Sequence, residues 1–140
     1  MRRILIVEDD EDERGGLYDL MEIDGHQARA HSTSNGAYEE FTRFRPDAAI
    51  VDIGLPDSHG VELVYRLRQQ APHLFVVVVS GYLKKWDPDD VLDCGAELVL
   101  EKPYDIKALR RTLKELQPTS SPSQAESQGG AAAPCAHAAD

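Results

Sequence analysis

The chain has 140 residues, 41% of them hydrophobic and 29% charged, and carries a net charge of −10. That length suits one domain with a real core, and an acidic balance without any Lys/Arg-rich run speaks against nucleic acid or an anionic membrane surface as a direct partner. Cys94 and Cys135 form neither a CxxC pair nor a disulfide framework. The apolar run at residues 4–7 is too short for a signal-peptide core and nothing nears transmembrane length, so a reduced, cytoplasmic setting is expected.

Residues 4–7 (Ile-Leu-Ile-Val) read as a central parallel strand covered on both faces, and they run into Glu8, Asp9 and Asp10. A helix follows over 11–23, with Leu17, Leu20 and Met21 on one side and Gly25 ending it. Asp10 with Glu13 fits a capping box, which accounts for those two acids but not for Glu8 and Asp9, which come straight off the strand. A weakly apolar segment over 26–31 is predicted as a strand near the sheet edge. Residues 34–44 form a second helix with Ala37, Phe41 and Phe44 inward, stopped by Pro46. The run 48–51 is a buried strand that ends in a single carboxylate, Asp52. Gly54, Pro56, Asp57 and Gly60 then break the chain before a helix over 61–70.

Residues 74–79 are the most apolar run, a fully buried strand that meets Ser80 and Gly81. A short acidic helix is predicted over 87–94, with Pro88 in its first turn. The fifth strand, 97–101, runs into Lys102 and Pro103. Ile106, Leu109, Leu113 and Leu116 mark a closing helix whose other face is basic, with Lys107, Arg110, Arg111 and Lys114. His26, His31, His59 and His73 show no metal-ligand spacing and read as surface or loop histidines. From Gln117 onward Ser, Pro, Gln, Gly and Ala dominate and large apolar side chains are absent. Residues 1–116 are therefore expected to fold and 117–140 to form a disordered tail.

Strand and helix alternate throughout, which means a parallel sheet with helices on both faces. Five strands joined by right-handed crossovers take the doubly wound order 2-1-3-4-5, a three-layer (βα)5 sandwich. Strands one and three are then neighbours, and their carboxyl ends bring Glu8, Asp9 and Asp52 together. Two unit charges ~5 Å apart repel by about 3 kcal/mol at an effective dielectric of 20, so three such carboxylates call for a cation. An all-oxygen donor set open to water suits Mg²⁺. Lys102 adds a fixed positive charge and Ser80 a hydroxyl. Metal, ammonium and hydroxyl around one carboxylate are parts for phosphoryl transfer through an acyl phosphate.

These residues resemble a bacterial response-regulator receiver domain of flavodoxin-like fold, of the single-domain, chemotaxis-type kind. The resemblance rests on Ile-Leu-Ile-Val-Glu8-Asp9, on Asp52-Ile-Gly-Leu-Pro56-Asp-Ser-His-Gly60, on Val-Val-Val-Val-Ser80-Gly81 and on Gly95-Ala96-Glu-Leu-Val-Leu-Glu-Lys102-Pro103, and spans about 2–116. It implies that Asp52 accepts a phosphoryl group from a histidine kinase or a histidine phosphotransfer protein. It also implies that Glu8, Asp9, Asp52 and the Gly54 carbonyl organise Mg²⁺, that Ser80 is the switch hydroxyl, and that Lys102 is the phosphate partner. Such a domain is a phosphoacceptor rather than an enzyme acting on other substrates, a monomer or a weak phosphorylation-dependent dimer that signals through protein contacts. Val99 stands where the family usually carries a switching Tyr or Phe, and Tyr82 is a candidate to shield the acceptor and take part in activation. The acidic fourth helix and basic fifth helix are candidates to pair between subunits, or simply solvated faces.

Two other classes stay open: a phosphorylation-independent scaffold, and an aspartyl-phosphate phosphohydrolase. The complete acid, hydroxyl and lysine set argues against the first. Gly54, where a general acid two residues after Asp52 would be needed, argues against the second. No second domain follows within the sequence, so no DNA-binding output is expected on it.

Overall fold

The computed structural model describes residues 2–55, 60–81 and 95–116. The predicted helix over 87–94, Tyr82, His59 and the tail over 117–140 lie outside the described residues. The elements run β1 (Arg3–Val7), α1 (Glu11–Ile23), β2 (Gln27–His31), α2 (Ser34–Phe44), β3 (Ala48–Asp52), α3 (Gly60–Gln70), β4 (Phe75–Ser80), β5 (Leu98–Glu101) and α4 (Ile106–Lys114). All four strand pairings are parallel, and the sheet order is β2-β1-β3-β4-β5, as the alternation of elements implies.

The unbroken apolar runs become central strands because both of their faces are covered. Side chains alternate across the sheet. Leu5, Val7, Ala49, Val51, Val76 and Val78 face α2 and α3, where Phe41, Leu63, Val64 and Leu67 close one core. Ile4, Ile6, Ala48, Ile50, Val77 and Val79 face the other way, onto Leu17 and Met21 of α1 and Leu109 and Leu113 of α4. The three layers thus follow from period-2 burial in the strands and helical spacing in the helices.

Helix ends are fixed by side chains that satisfy orphan backbone donors. Asp10 accepts from the Glu13 amide, Thr33 from the Gly36 amide, and Asp105 from the Lys107 and Ala108 amides. At the end of α1, Gly25 takes φ 87°, the left-handed conformation that suits a glycine after a helix.

Two sequence expectations need correction here. His26 lies in the loop between α1 and β2, one of the two expected settings, but it is buried rather than at the surface: it is 7% exposed, and its Nδ1 accepts from the Arg2 amide. It sits where the chain turns from α1 into β2, packed under the amino end of the sheet. His31 is half-buried on β2 and pairs with Glu40 of α2, whereas His73 is exposed. The second correction concerns the basic face of the closing helix. Arg110 is committed within its own chain, donating to both Asp24 oxygens at 2.9 and 2.7 Å, with Lys114 3.6 Å from the same carboxylate. That fork clamps α4 to the end of α1.

Candidate functional site

The strand register explains why the acids meet. Val7 is paired with Val51, so the residues that follow, Glu8 and Asp52, leave adjacent strands side by side. On the other flank Asp52 is paired with Val79, and Ser80 with Glu101. Ser80 and Lys102 therefore reach the same carboxyl edge, where the Lys102 amide donates to the Ser80 carbonyl at 2.8 Å. The Lys102–Pro103 peptide bond is cis. In open α/β sheets this edge is the ligand-binding end.

Lys102 is the centre of the side-chain geometry. Its Nζ donates to Glu8 Oε1 at 2.8 Å, Asp52 Oδ2 at 2.9 Å and Glu13 Oε2 at 3.3 Å. The other Asp52 oxygen, Oδ1, accepts from the Gly54 amide at 2.8 Å. Glu8 Oε2 accepts from the Asp10 amide at 3.2 Å. Asp52 and Glu8 are buried, whereas Asp9 and Gly54 are exposed at the rim. Arg14 of α1 donates to the carbonyls of Glu8 and Asp9, which holds this turn onto the helix.

Burial and the neighbouring Asp52 push the Glu8 carboxyl up to about 8, with Lys102 pulling in the opposite direction. Burial also pushes Asp52 up, but hydrogen bonds from Glu8, the Gly54 amide and Lys102 outweigh it and hold this carboxyl below its ordinary range. Burial works against the Lys102 ammonium, yet contact with Glu8 and Asp52 raises its pKa above the ordinary lysine value. The shifts run in opposite directions: Glu8 is driven toward its protonated form, whereas Asp52 and Lys102 are held in their charged forms. Two buried carboxyls side by side repel when both are ionised, and Lys102 between them offsets that repulsion.

One oxygen from each of Glu8, Asp9 and Asp52 lies within 4.8 Å of the other two, the one such group of three potential ligands among the described residues. The donors are all carboxylate oxygens, one of them at the exposed rim. That set fits a hard, partly hydrated divalent cation.

Each candidate in the described residues reaches this edge: Glu8, Asp9, Asp52, Gly54, Ser80 and Lys102. Two residues were missed. Glu13 was absorbed into a capping box; its amide is indeed capped by Asp10, but its side chain turns to Lys102. Gly60 was seen only as a loop breaker. A Cβ there would lie 2.5 Å from the Asp52 carbonyl oxygen and 2.5 Å from Ile53 Cα, so α3 starts against the backbone of the acceptor strand only because this residue has no side chain. Val99 is part-buried, paired with Val78 and packed on the α2/α3 core.

A family model described as the response regulator receiver domain matches residues 4–114. The KDP operon transcriptional regulatory protein KdpE of Escherichia coli K12 is 37% identical over 115 residues, covering 81% of this chain and 50% of its own length. The chain thus spans about half the length of the curated relatives it matches. A CheY-like response regulator receiver domain from Methylobacillus flagellatus superposes with a TM-score of 0.73 at 28% identity, covering 84% of this chain and 99% of that one. The response regulator TrrA of Thermotoga maritima, solved in complex with Mg²⁺-BeF, shares the fold with a TM-score of 0.74 at 22% identity, covering 84% of this chain and 100% of that one. Among the described residues, no helix is long and apolar enough to cross a membrane.

Proposed function

The chain belongs to the response regulator receiver family, and from that premise we propose that Asp52 is its phosphoryl acceptor and that residues 1–116 are the receiver module. The observation that carries this reading is the triple contact of Lys102: one ammonium joins the ends of β1, β3 and β5 around a buried, ionised Asp52. A nucleophilic carboxylate has to be ionised, and a low Asp52 pKa ensures that at neutral pH.

The donor is a phosphohistidine on a histidine kinase or a phosphotransfer protein. A carboxylate oxygen of Asp52 attacks phosphorus in line. The O–P bond forms as the N–P bond of the phosphoimidazole breaks, and the bonding pair returns to the ring nitrogen. Glu8, Asp9, Asp52 and the Gly54 carbonyl would hold Mg²⁺, which supplies charge neutralisation for the transferring group. The Gly54 amide orients Asp52 Oδ1, and Lys102 supplies a second positive charge for a phosphoryl oxygen. Ser80, at the end of β4, supplies the hydroxyl that moves to the new group. The added charge of roughly −1.5 to −2 then biases a pre-existing equilibrium of the loops after β4 and β5. The readout of this module is a protein contact in the cytoplasm, in keeping with its net charge of −10.

Gly54 offers no side chain to act as a general acid two residues after Asp52, which leaves the phosphohydrolase reading without its proton donor. The test is intact mass after incubation with a small phosphodonor, with and without Mg²⁺, beside Asp52→Asn. The expected result is a single phosphoryl adduct, dependent on Mg²⁺ and absent from the variant. No adduct on the wild-type chain would refute the reading.

A further inference from the structure

Arginines gather at a second place, away from the carboxyl edge that holds Asp52. Arg3 opens β1, Arg29 lies on β2, and Arg43 and Arg45 stand at the end of α2. These four line a cleft of about 740 Å³, with Glu40 and Phe44 among its other walls. Glu40, the one acid in that lining, is already taken: Arg29 Nε stands 3.5 Å from it and His31 pairs with it. Arg29 also lies over the Phe44 ring, 5.0 Å from its centroid, and Arg3 Nε donates to the Arg45 carbonyl at 2.9 Å. Arg43 and Arg45 are exposed, and among the described residues neither guanidinium pairs with a carboxylate. The helix dipole accounts for one cation in the last turn of α2. It does not account for Arg45, which takes φ 51°, the left-handed conformation that suits glycine or asparagine after a helix. Among the described residues it is the one non-glycine residue there. An arginine kept in a strained conformation points to a use for its side chain.

We propose that this cleft binds a short acidic peptide segment of a partner protein, one that presents two or more carboxylates. Guanidinium forks match carboxylates in a bidentate geometry. The volume falls within the roughly 300–1,000 Å³ of ligand sites, which is more than a single anion fills. A long, densely charged polyanion is opposed at a distance by a chain of net charge −10, whereas a peptide of a few residues meets mainly the local field of the arginines. The inference goes beyond the phosphoacceptor reading and does not depend on it.

Fluorescein-labelled hexaglutamate, titrated with the unphosphorylated full chain at low salt and followed by anisotropy, reads the cleft directly. Saturable binding is expected, and none for hexaglutamine. Arg45→Gly removes the cation and relieves the strained backbone, so it is expected to bind about two- to fivefold more weakly while its urea midpoint is unchanged or higher. Arg43→Ser combined with Arg45→Gly is expected to lose at least about fivefold. Arg111→Ala, which removes an exposed cation from α4, is expected to match wild type. No saturable binding by wild type, an unchanged affinity in the double variant, or an equal loss in Arg111→Ala would each overturn the proposal. So would a single-stranded oligonucleotide of equal charge that binds more tightly than hexaglutamate and is lost in the double variant, since that result assigns the cleft to nucleic acid.

Discussion

Replacing Gly60 with alanine separates two opposing physical effects. Gly60 is the first residue of α3, and on helix propensity alone alanine there should stabilise by up to about 1 kcal/mol. The structure calls for the opposite sign. The new Cβ would stand 2.5 Å from the Asp52 carbonyl oxygen and from Ile53 Cα, where carbon contacts are comfortable near 3.5 Å or more. Both obstacles are backbone, in and just after a central strand, so neither can swing aside. Relief requires about 1 Å of movement between α3 and the end of β3, and overpacking of this kind costs about 1–3 kcal/mol or more. For a domain of this size each kcal/mol lowers Tm by roughly 4 °C. Gly54→Ala is the internal control: its Cβ would meet Asp52 Oδ1 at 3.5 Å, an ordinary contact. Urea unfolding at pH 7 should show Gly60→Ala less stable by at least about 1 kcal/mol and Gly54→Ala close to wild type. Because the displaced backbone carries Asp52, Gly60→Ala should also take up phosphoryl more slowly. If Gly60→Ala is as stable as wild type or more so, the close approach of α3 to the acceptor strand is wrong.

The remaining expectations follow from the same contacts. Burial holds His26 below its ordinary pKa; Asp24 acts against that shift, while Arg2 and Lys114 reinforce it. The unfolded chain therefore takes up a proton near pH 6.5 that the folded chain still refuses. Stability should fall as pH drops from 6.5 toward the folded value, and His26→Gln should flatten that part of a urea-versus-pH series. Arg110→Ala leaves the Asp24 carboxylate without its fork and should lower the urea midpoint at pH 7. Because Arg110 lowers the Asp24 pKa, that contribution is present above about pH 4, the ordinary carboxylate value, and is lost as pH falls through the depressed one. Asp9→Asn, at an exposed position, should leave the urea midpoint within about 0.5 kcal/mol of wild type. It should weaken Mg²⁺ at least about tenfold in a calorimetric titration; unchanged affinity would remove Asp9 from the ligand set.

The strands were legible because apolar runs such as 4–7 and 48–51 can be satisfied only between two helical layers. The site was legible because each run ends abruptly in a polar group: two carboxylates, a hydroxyl and an ammonium. Once Val7 and Val51 share a register, Glu8 and Asp52 have no choice but to meet. What stayed hidden was whatever depends on side-chain direction or on long sequence separation. Glu13 satisfied a local capping pattern, and that pattern carries no sign that the side chain turns toward a lysine 89 residues away. Arg110 read as one charge of a basic helix face, and nothing local in the sequence links it to Asp24, 86 residues away. His26 has no pattern of its own, since a single residue between Gly25 and a strand gives no periodicity from which to infer burial. Gly60 was visible as a breaker, but a turn and a backbone contact require the same residue, and only coordinates separate them.

The central claim is that phosphoryl transfer lands on Asp52 and nowhere else. Borohydride reduces an acyl phosphate to an alcohol, which converts a phosphorylated aspartate to homoserine and leaves other carboxylates alone. Reduction of the phosphorylated full chain, digestion and tandem mass spectrometry should place homoserine at Asp52, with Asp9 and Asp57 unmodified. Homoserine at either of those positions, or at none in a sample whose intact mass shows the adduct, would contradict the account.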